Sequence, residues 1–381
     1  MPNNLYIKAF ESISALGNSA AAIWENYSQA QPLFAEKKIN NENYWVSSLT
    51  LVQEEGLREL QQSDKRYRLL DPSVLQSLYL AKKLHQNTKI NWTNTGVNIG
   101  SSRGATTTFE ASHHDFITTG KVPSLTSPIT TLGNISSWIA QELNTEGPCI
   151  SHSITCSTAL HALLNAKAWL HSGMAESFVF GGTEAPLTPY TIAQMKALKL
   201  YSKSTSKWAC ESLAMDKKSN SLVLGQAASL FVVDTKPENA LAKIAGVGFA
   251  TEKIQHNIAI SKEAKCFQKS MKMALNEANL KQVDAIVMHA PGTVKGDLAE
   301  LKAIEKSFDQ RPFLTTNKFM IGHSFGASGG MSLELAILML QHQQLIENPF
   351  YKNQNSPKEI KNIMVNAVGF GGNACSVIVS L

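Results

Sequence analysis

Three side chains in this sequence could together support nucleophilic chemistry: the thiol of Cys156 and the imidazoles of His289 and His323. Cys156 lies where an apolar, β-branched stretch gives way to an Ala/Leu-rich run with helical spacing. A thiol at such a turn feels the positive end of the helix dipole and unpaired backbone N–H groups, and both favour the nucleophilic thiolate. The alternative interpretation is an inert small hydrophobe in a packed strand.

The elements around these side chains repeat along the chain. Residues 149–173 predict a buried strand, a tight turn at Cys156 and a long buried helix. Residues 321–341 have the same character, a turn followed by an apolar helix rich in small residues, and the strand-like stretch 241–251 resembles the opening strand at 5–16. The sequence therefore predicts a duplicated α/β fold with two buried helices back to back.

The predicted boundary between the two halves lies at the segment Thr-Lys-Pro-Glu, residues 235–238. We assign the first half, with the cysteine, to residues 1–238 and the second half, with the two histidines, to residues 239–381. Each half alone would leave one face of its sheet uncovered, so we expect one compact body. Residues 103–129 are polar, contain Gly and Pro, and predict a long surface excursion.

Composition excludes several classes of function. The chain has 381 residues, is 43% hydrophobic and 17% charged, and has a net charge of +5. The sequence has no long Lys/Arg block of the kind that would indicate nucleic-acid binding. It also has no apolar run long enough for a membrane span. The five cysteines are scattered, without a CxxC pair or metal-ligand spacing, and the N-terminus has no signal-peptide pattern, so we expect a reduced, cytoplasmic protein.

Four short motifs stand in order at predicted strand ends and helix starts: Thr155-Cys156-Ser157, HAPGT at 289–293, a lysine followed by Gly-His at 318–323, and GFGGN at 369–373. Together they resemble the β-ketoacyl synthase branch of the thiolase superfamily, over nearly the whole chain. The resemblance implies a thiolase-like αβαβα fold, with buried helices between two sheets, and decarboxylative Claisen condensation of an acyl thioester with a malonyl-carrier thioester.

The resemblance also implies the roles of individual residues. Cys156 would be the acylated nucleophile, and His289 and His323 would donate hydrogen bonds to the enolate formed on decarboxylation. The backbone N–H groups of Cys156 and Phe370 would hold the acyl oxyanion, and Phe370 would also be a gate above the cysteine. His152, His161 and His171 are interpreted as structural.

Three further residues would support this chemistry. Lys318 and Glu300 are expected to pair and to hold the histidine loops in place. The Thr293 hydroxyl would contact the pantetheine arm of the carrier. No metal and no diffusible cofactor is implied.

The sequence departs from the family pattern in ways that bear on function. The usual HGTGT is HAPGT here, with Ala290 in place of a glycine and Pro291 in place of a threonine, and Thr155 replaces the usual alanine before the cysteine. Thiolases use a second cysteine as base, but Cys375 follows the glycine pair instead of preceding it. Two histidines match the elongating synthases, and the departures fit a specialised pathway such as polyketide or aryl-polyene assembly.

The alternative function is that of a chain-length-factor-like partner subunit with little or no activity. Such partners often lack the cysteine, so the presence of Cys156 favours an active enzyme. The departure of HAPGT from the usual motif favours the partner subunit. The expected partners are an acyl carrier protein, acyl- or malonyl-loaded, and a second synthase-type subunit, identical or homologous. The candidate interface is the strand Cys149 to Thr155, and the basic loop Lys196 to Lys207 is a candidate docking site for an acidic carrier.

Overall fold

The computed structural model describes residues 4–253 and 260–381. Strands and helices alternate through both halves of the chain. The strands are β1 (Leu5–Ile13), β2 (Ala35–Ile39), β3 (Glu42–Ser47), β4 (Thr95–Gly100), β5 (Cys149–Ile150), β6 (Ser177–Glu184), β7 (Leu224–Gly225), β8 (Ala227–Asp234), β9 (Ala242–Thr251), β10 (Ala285–Val287), β11 (Phe313–Thr315), β12 (Asn362–Gly369) and β13 (Asn373–Ser380). The helices are α1 (Ala20–Gln29), α2 (Leu51–Ser63), α3 (Pro72–Asn87), α4 (Thr106–Thr119), α5 (Thr126–Thr130), α6 (Asn134–Leu143), α7 (Thr158–His171), α8 (Pro189–Ala197), α9 (Lys265–Ala278), α10 (Val294–Ser307), α11 (Lys318–Ile321) and α12 (Ser328–His342).

The sheet topology shows the duplication directly. The first half contributes strands in the order β1-β8-β6-β4-β5, and the second half contributes β9-β13-β12-β10-β11. In each half the first two pairings are antiparallel and the last two are parallel. The halves meet where β1 pairs antiparallel with β9. The predicted duplicated α/β fold is therefore confirmed.

The core explains why α12 is buried along nearly its whole length and why α7 has one buried apolar face. Alternate strand residues face opposite sides of a sheet, so Phe178 and Phe180 of β6 pack in one apolar cluster and Val179 packs in another. The first cluster joins α7 and α12 to both half-sheets. The outer faces are covered by α3 and α6 on the first half and by α9 and α10 on the second. This is the five-layer αβαβα arrangement that the sequence predicts.

Two regions differ from the sequence-based expectation. The excursion at 103–129 forms helices α4 and α5, because its Thr-rich run is closed by Gly120 in the left-handed conformation rather than broken within it. The strand predicted over Cys149–Thr155 is a strand only at Cys149–Ile150, and Cys149 is exposed. Thr155 has φ +48°, which turns the chain away from the sheet.

The division into residues 1–238 and 239–381 stays a prediction, because the β1–β9 ladder makes the two half-sheets continuous. In the part of the chain that the structure describes, none of the helices has the length and apolar character needed to cross a membrane.

Candidate active site

Cys156 lies in a short 3-10 turn, Thr155–Ser157, that leads directly into α7. The turn is held by its neighbours: the Thr158 hydroxyl accepts from the Ile154 N–H (2.9 Å), and the Ser157 N–H donates to the Ile154 carbonyl (3.2 Å). The side chain of Cys156 is buried, with 5% exposure. The chain thus places one thiol beneath the surface at the start of a buried helix.

Burial dominates the chemistry of this thiol. It raises the pKa of Cys156 to about 12; the charge of Glu184 raises it further, while the charges of Lys318 and Arg103 lower it. This direction is opposite to the favoured thiolate that the sequence analysis expected at the helix start, because burial disfavours the charged form of the thiol. The thiol keeps its proton at neutral pH and must release it as it attacks.

The two histidines face each other although they come from separate loops. His289 follows β10, and His323 follows α11. Their ring centroids are 5.2 Å apart and the rings are nearly perpendicular. The Nδ1 atoms of both, and Nε2 of His323, are buried without a hydrogen-bond partner in the described residues. Since buried polar atoms normally have partners, these atoms indicate a site for an external ligand.

Both imidazoles are neutral at physiological pH. Burial lowers the pKa of His289 to about 3, with the charge of Lys318 as a second cause. Burial lowers the pKa of His323 well below its ordinary value, and the charges of His289 and Lys318 add to this effect. A neutral imidazole has one N–H donor and one acceptor nitrogen. The pair can therefore donate two hydrogen bonds to a single oxygen that becomes negative.

Glu300, on α10, fixes the loop that carries His289. Its carboxylate accepts from the backbone N–H groups of His289 (3.0 Å) and Ala290 (2.9 Å) and from the side-chain amide of Asn366 (3.2 Å). Burial raises the pKa of Glu300 to about 7, and these hydrogen bonds lower it. The sequence analysis did not single out Asn366, because only the fold brings β12 beside α10.

Lys318 does not form the direct ion pair with Glu300 that the sequence analysis expected. Among the described residues, no carboxylate lies within 4.0 Å of its Nζ, which donates instead to Asn317 Oδ1 (3.1 Å) and Ser332 Oγ (3.3 Å). Burial lowers the pKa of Lys318 to about 8, while the charge of Glu300 raises it. The two residues are coupled electrostatically but are held by different neighbours.

A second buried carboxylate organises the HAPGT loop. Asp297 accepts from the N–H groups of Gly292 (3.2 Å) and Thr293 (3.0 Å) and pairs with Lys217 at 2.8 Å. The Thr293 hydroxyl caps α10 by accepting from the Gly296 N–H at 3.2 Å. Its own hydrogen remains available to donate to a ligand.

The GFGGN segment lies against the cysteine turn. A Cβ at Gly369 would lie 2.0 Å from Thr155 Oγ1, so only glycine allows this approach. The next residue, Phe370, is half-buried, and Gly371 and Gly372 follow with φ of +93° and +72°. The fold thus brings Phe370 to the edge of the site, where the sequence analysis expected a gate.

Other candidate residues lie away from the histidines. His152 Nδ1 contacts Asn98 Oδ1 (2.9 Å) and His161 Nδ1 contacts the Ser157 carbonyl (3.1 Å), which suits structural roles. In the basic loop, Lys196 pairs with Glu42 at the surface. The same loop packs Tyr201 into the apolar cluster that contains Cys156.

Together, the duplicated five-layer body, the buried cysteine turn and the pair of neutral histidines define a thiolase-like protein. Two family descriptions match the chain: "Beta-ketoacyl synthase, N-terminal domain" over residues 22–239 and "Beta-ketoacyl synthase, C-terminal domain" over residues 241–351. The chain belongs to the β-ketoacyl synthase family.

Relatives with curated names and solved structures agree with this assignment. A Coxiella burnetii protein named 3-oxoacyl-[acyl-carrier-protein] synthase 2 is 28% identical over 320 residues, covering 77% of each chain. A type II polyketide ketosynthase complex, AntDE:AntF, superposes with a TM-score of 0.84 at 17% identity and covers all of both chains. The Xenorhabdus doucetiae structure of the ketosynthase ApeO with its chain length factor ApeC gives 0.82 at 21% identity, over 99% of this chain and 98% of that one. These similarities confirm the predicted thiolase-like fold.

Proposed function

We propose that this chain is a β-ketoacyl-[acyl-carrier-protein] synthase, an acyltransferase of fatty-acid or polyketide-type biosynthesis, with Cys156, His289 and His323 as its catalytic residues. The observation that carries the proposal is the pair of buried, neutral imidazoles with unpartnered ring nitrogens. Neither ring has a structural partner for those atoms among the described residues, so a substrate oxygen is the natural acceptor.

The first half-reaction loads the enzyme. The Cys156 sulfur attacks the carbonyl carbon of an acyl-carrier thioester, and the new C–S bond forms as the bond to the pantetheine sulfur breaks. Because the thiol is protonated at rest, its proton passes through a neutral imidazole to the departing pantetheine thiolate. The oxyanion of the tetrahedral intermediate lies at the N–H groups of Cys156 and Phe370.

The second half-reaction forms the carbon–carbon bond. The malonyl-carrier thioester loses CO2, and the electron pair of the broken bond forms an enolate whose oxygen accepts hydrogen bonds from His289 and His323. The enolate carbon attacks the acyl-enzyme, and the tetrahedral intermediate expels the Cys156 sulfur as a thiolate, which regains a proton. The product is a β-ketoacyl carrier thioester two carbons longer.

The proposal includes the partners. The Coxiella relative is named for the acyl carrier protein, AntDE:AntF contains one, and the ApeO structure contains a chain length factor. We propose that this chain likewise uses a carrier and assembles with an identical or homologous subunit. All five cysteines are free thiols, which supports the proposed cytoplasmic location.

Intact-mass spectrometry tests the proposal. Wild type mixed with an acyl-carrier thioester should gain the acyl mass, and Cys156→Ala should not. Cys375→Ala, which removes a fully buried thiol of the core, is the matched control and should load like wild type. Absence of any adduct, together with a tight complex to a homologous subunit, would instead support the chain-length-factor alternative.

A further inference from the structure

Arg103 lies in the loop between β4 and α4. This loop packs against the segment that precedes the Cys156 turn and against the turn Phe325–Ala327. The Ser101 N–H donates to the His152 carbonyl (3.2 Å), four residues before Cys156. On the other side, a Cβ at Gly326 would lie 2.6 Å from the Ser102 nitrogen, so the Phe325 turn packs directly on this loop. The backbone therefore fixes Arg103 beside the catalytic centre.

The guanidinium group lies over the ring of Phe325, which is beside His323. Its central carbon lies 5.8 Å from the centre of the Phe325 ring, which in turn lies 5.4 Å from the His323 ring. Phe325 and Cys156 belong to one apolar cluster. The positive charge of Arg103 lowers the pKa of the Cys156 thiol, which places the cation within electrostatic reach of the sulfur.

No carboxylate of the described residues forms an ion pair with this cation, although the charge of Arg103 lowers the pKa of the nearby Glu184. Arg103 is half-buried. Its Nη2 donates to Gln194 Oε1, while its Nε is buried with no partner in the same residues. The Oε1 atom of the neighbouring acid, Glu184, accepts from Ser101 Oγ (2.5 Å) and from the backbone N–H groups of Ser102 and Arg103. A poorly solvated guanidinium with unused donors favours an incoming oxygen anion.

The surroundings suit an acyl chain that ends in such an anion. Ile192 and Met195 of α8 pack in the Cys156 cluster, where they would contact methylene groups of an acyl chain on the sulfur. Gln194, on the same helix, holds the guanidinium at the edge of that cluster. We propose that Arg103 makes this synthase selective for short acyl groups with a terminal carboxylate, a specificity that rests on the proposed function.

A carboxylate could reach this site from two sources: the far end of a dicarboxylic acyl group or the malonyl extender. The geometry favours the acyl group. Malonyl charge moves from the carboxylate into the enolate during decarboxylation, so a cation on the carboxylate would stabilise the ground state and slow the step. The proposed enolate donors are the two histidines, whereas Arg103 lies over the ring of Phe325, which belongs to the apolar cluster around the sulfur.

The test compares two thioesters of equal carbon number, adipoyl-pantetheine and hexanoyl-pantetheine, by the rate at which each adds its mass to Cys156 without malonyl thioester. Wild type should load adipoyl at least about tenfold faster, the effect of one charge-assisted hydrogen bond. Arg103→Met should lose or invert that preference while still loading hexanoyl, which shows that the variant is folded. Arg103→Lys should retain part of it.

Arg66→Met, which removes an exposed arginine paired with Asp64, is the matched control and should leave the preference unchanged. Equal loading of both thioesters by wild type, or an unchanged ratio in Arg103→Met, would overturn the inference. No loading of either thioester would contradict the proposed function itself. In a Cys156→Ala background, loss of CO2 release from malonyl-pantetheine on adding Arg103→Met would assign the cation to the extender and also overturn the inference.

Discussion

At the residue scale, the two histidines and the cysteine of this site are uncharged because they are buried. His289 and His323 are neutral, and the Cys156 thiol is protonated, because each is desolvated. The chemistry then needs donors and acceptors arranged around the substrate rather than a preformed ion pair. Variants of His289 and Lys318 test the hydrogen-bond donors and the buried charge separately.

His289→Gln should load acyl groups onto Cys156 near the wild-type rate but condense them at least about 100-fold more slowly. Glutamine keeps an N–H donor but cannot match the imidazole's position beside His323. Mass spectrometry of loading and a carrier-thioester assay of condensation measure the two steps separately. An equal loss in both steps would mean that His289 acts in loading and has no specific role in stabilising the enolate.

Lys318→Met should make the protein more stable at pH 7. The folded pKa of Lys318, about 8, is below its ordinary value of 10.5, and a difference of that size corresponds to a cost on the order of 3 kcal/mol. That cost is fully present below pH 8 and fades as pH rises towards the unfolded pKa. Urea unfolding should therefore show a gain at pH 7 that shrinks by pH 9.5.

The exposed Lys302 of α10 gives the matched variant, Lys302→Met, which should change stability little at either pH. A loss of stability in Lys318→Met at pH 7 would show that the hydrogen bonds to Asn317 and Ser332 outweigh the burial of the charge.

At the element scale, helix α10 positions the loop that carries His289 through one carboxylate. Glu300→Gln should lower condensation at least about tenfold, because an amide NH2 would face N–H groups that now donate to the carboxylate at His289 and Ala290. The exposed Glu305 lies on the same helix, and Glu305→Gln should keep full activity. If hydrogen exchange at the His289 and Ala290 amides is unchanged in Glu300→Gln, this account of the loop is wrong.

Helices are predicted correctly from the sequence where the apolar pattern of a segment matches the residues that the fold buries. The Ala/Leu-rich run after Cys156 predicts a helix, and the structure has α7 there. The small-residue run after Ile321 similarly predicts the buried α12. The excursion at 103–129 is predicted less well, because its helices expose Phe109, Phe116 and Ile117 and so lack the usual apolar face.

The site residues that the sequence analysis missed depend on long-range contacts. Arg103 contacts Gln194, 91 positions later, and Asn366 contacts Glu300, 66 positions earlier. No local spacing signals such pairs, whereas the motif order identified the neighbourhoods of Cys156, His289 and His323. The expected Lys318–Glu300 ion pair is absent for a different reason, because the ammonium group donates to Asn317 and Ser332 instead.

At the scale of the whole molecule, β5 ends the ten-stranded sheet with an open edge. The Val97 N–H donates to the Pro148 carbonyl, so the next residue, Cys149, turns its own N–H towards that edge. Such an edge pairs readily with another strand. Cys149→Pro should therefore shift the protein from dimer to monomer in light scattering, while Cys149→Ser should remain dimeric. A dimer of unchanged strength in Cys149→Pro would place the interface elsewhere.

The two halves carry the same turn twice, with Cys156 at its centre in the first half and Gly326 in the second. Because the central residue of the turn differs, one half cannot replace the other in evolution. A recombination event that copied the first turn into the second would put a side chain 2.6 Å from the Ser102 nitrogen, displacing the loop that carries Arg103. At position 326 the second half therefore needs glycine for the loop that carries Arg103 to keep its place.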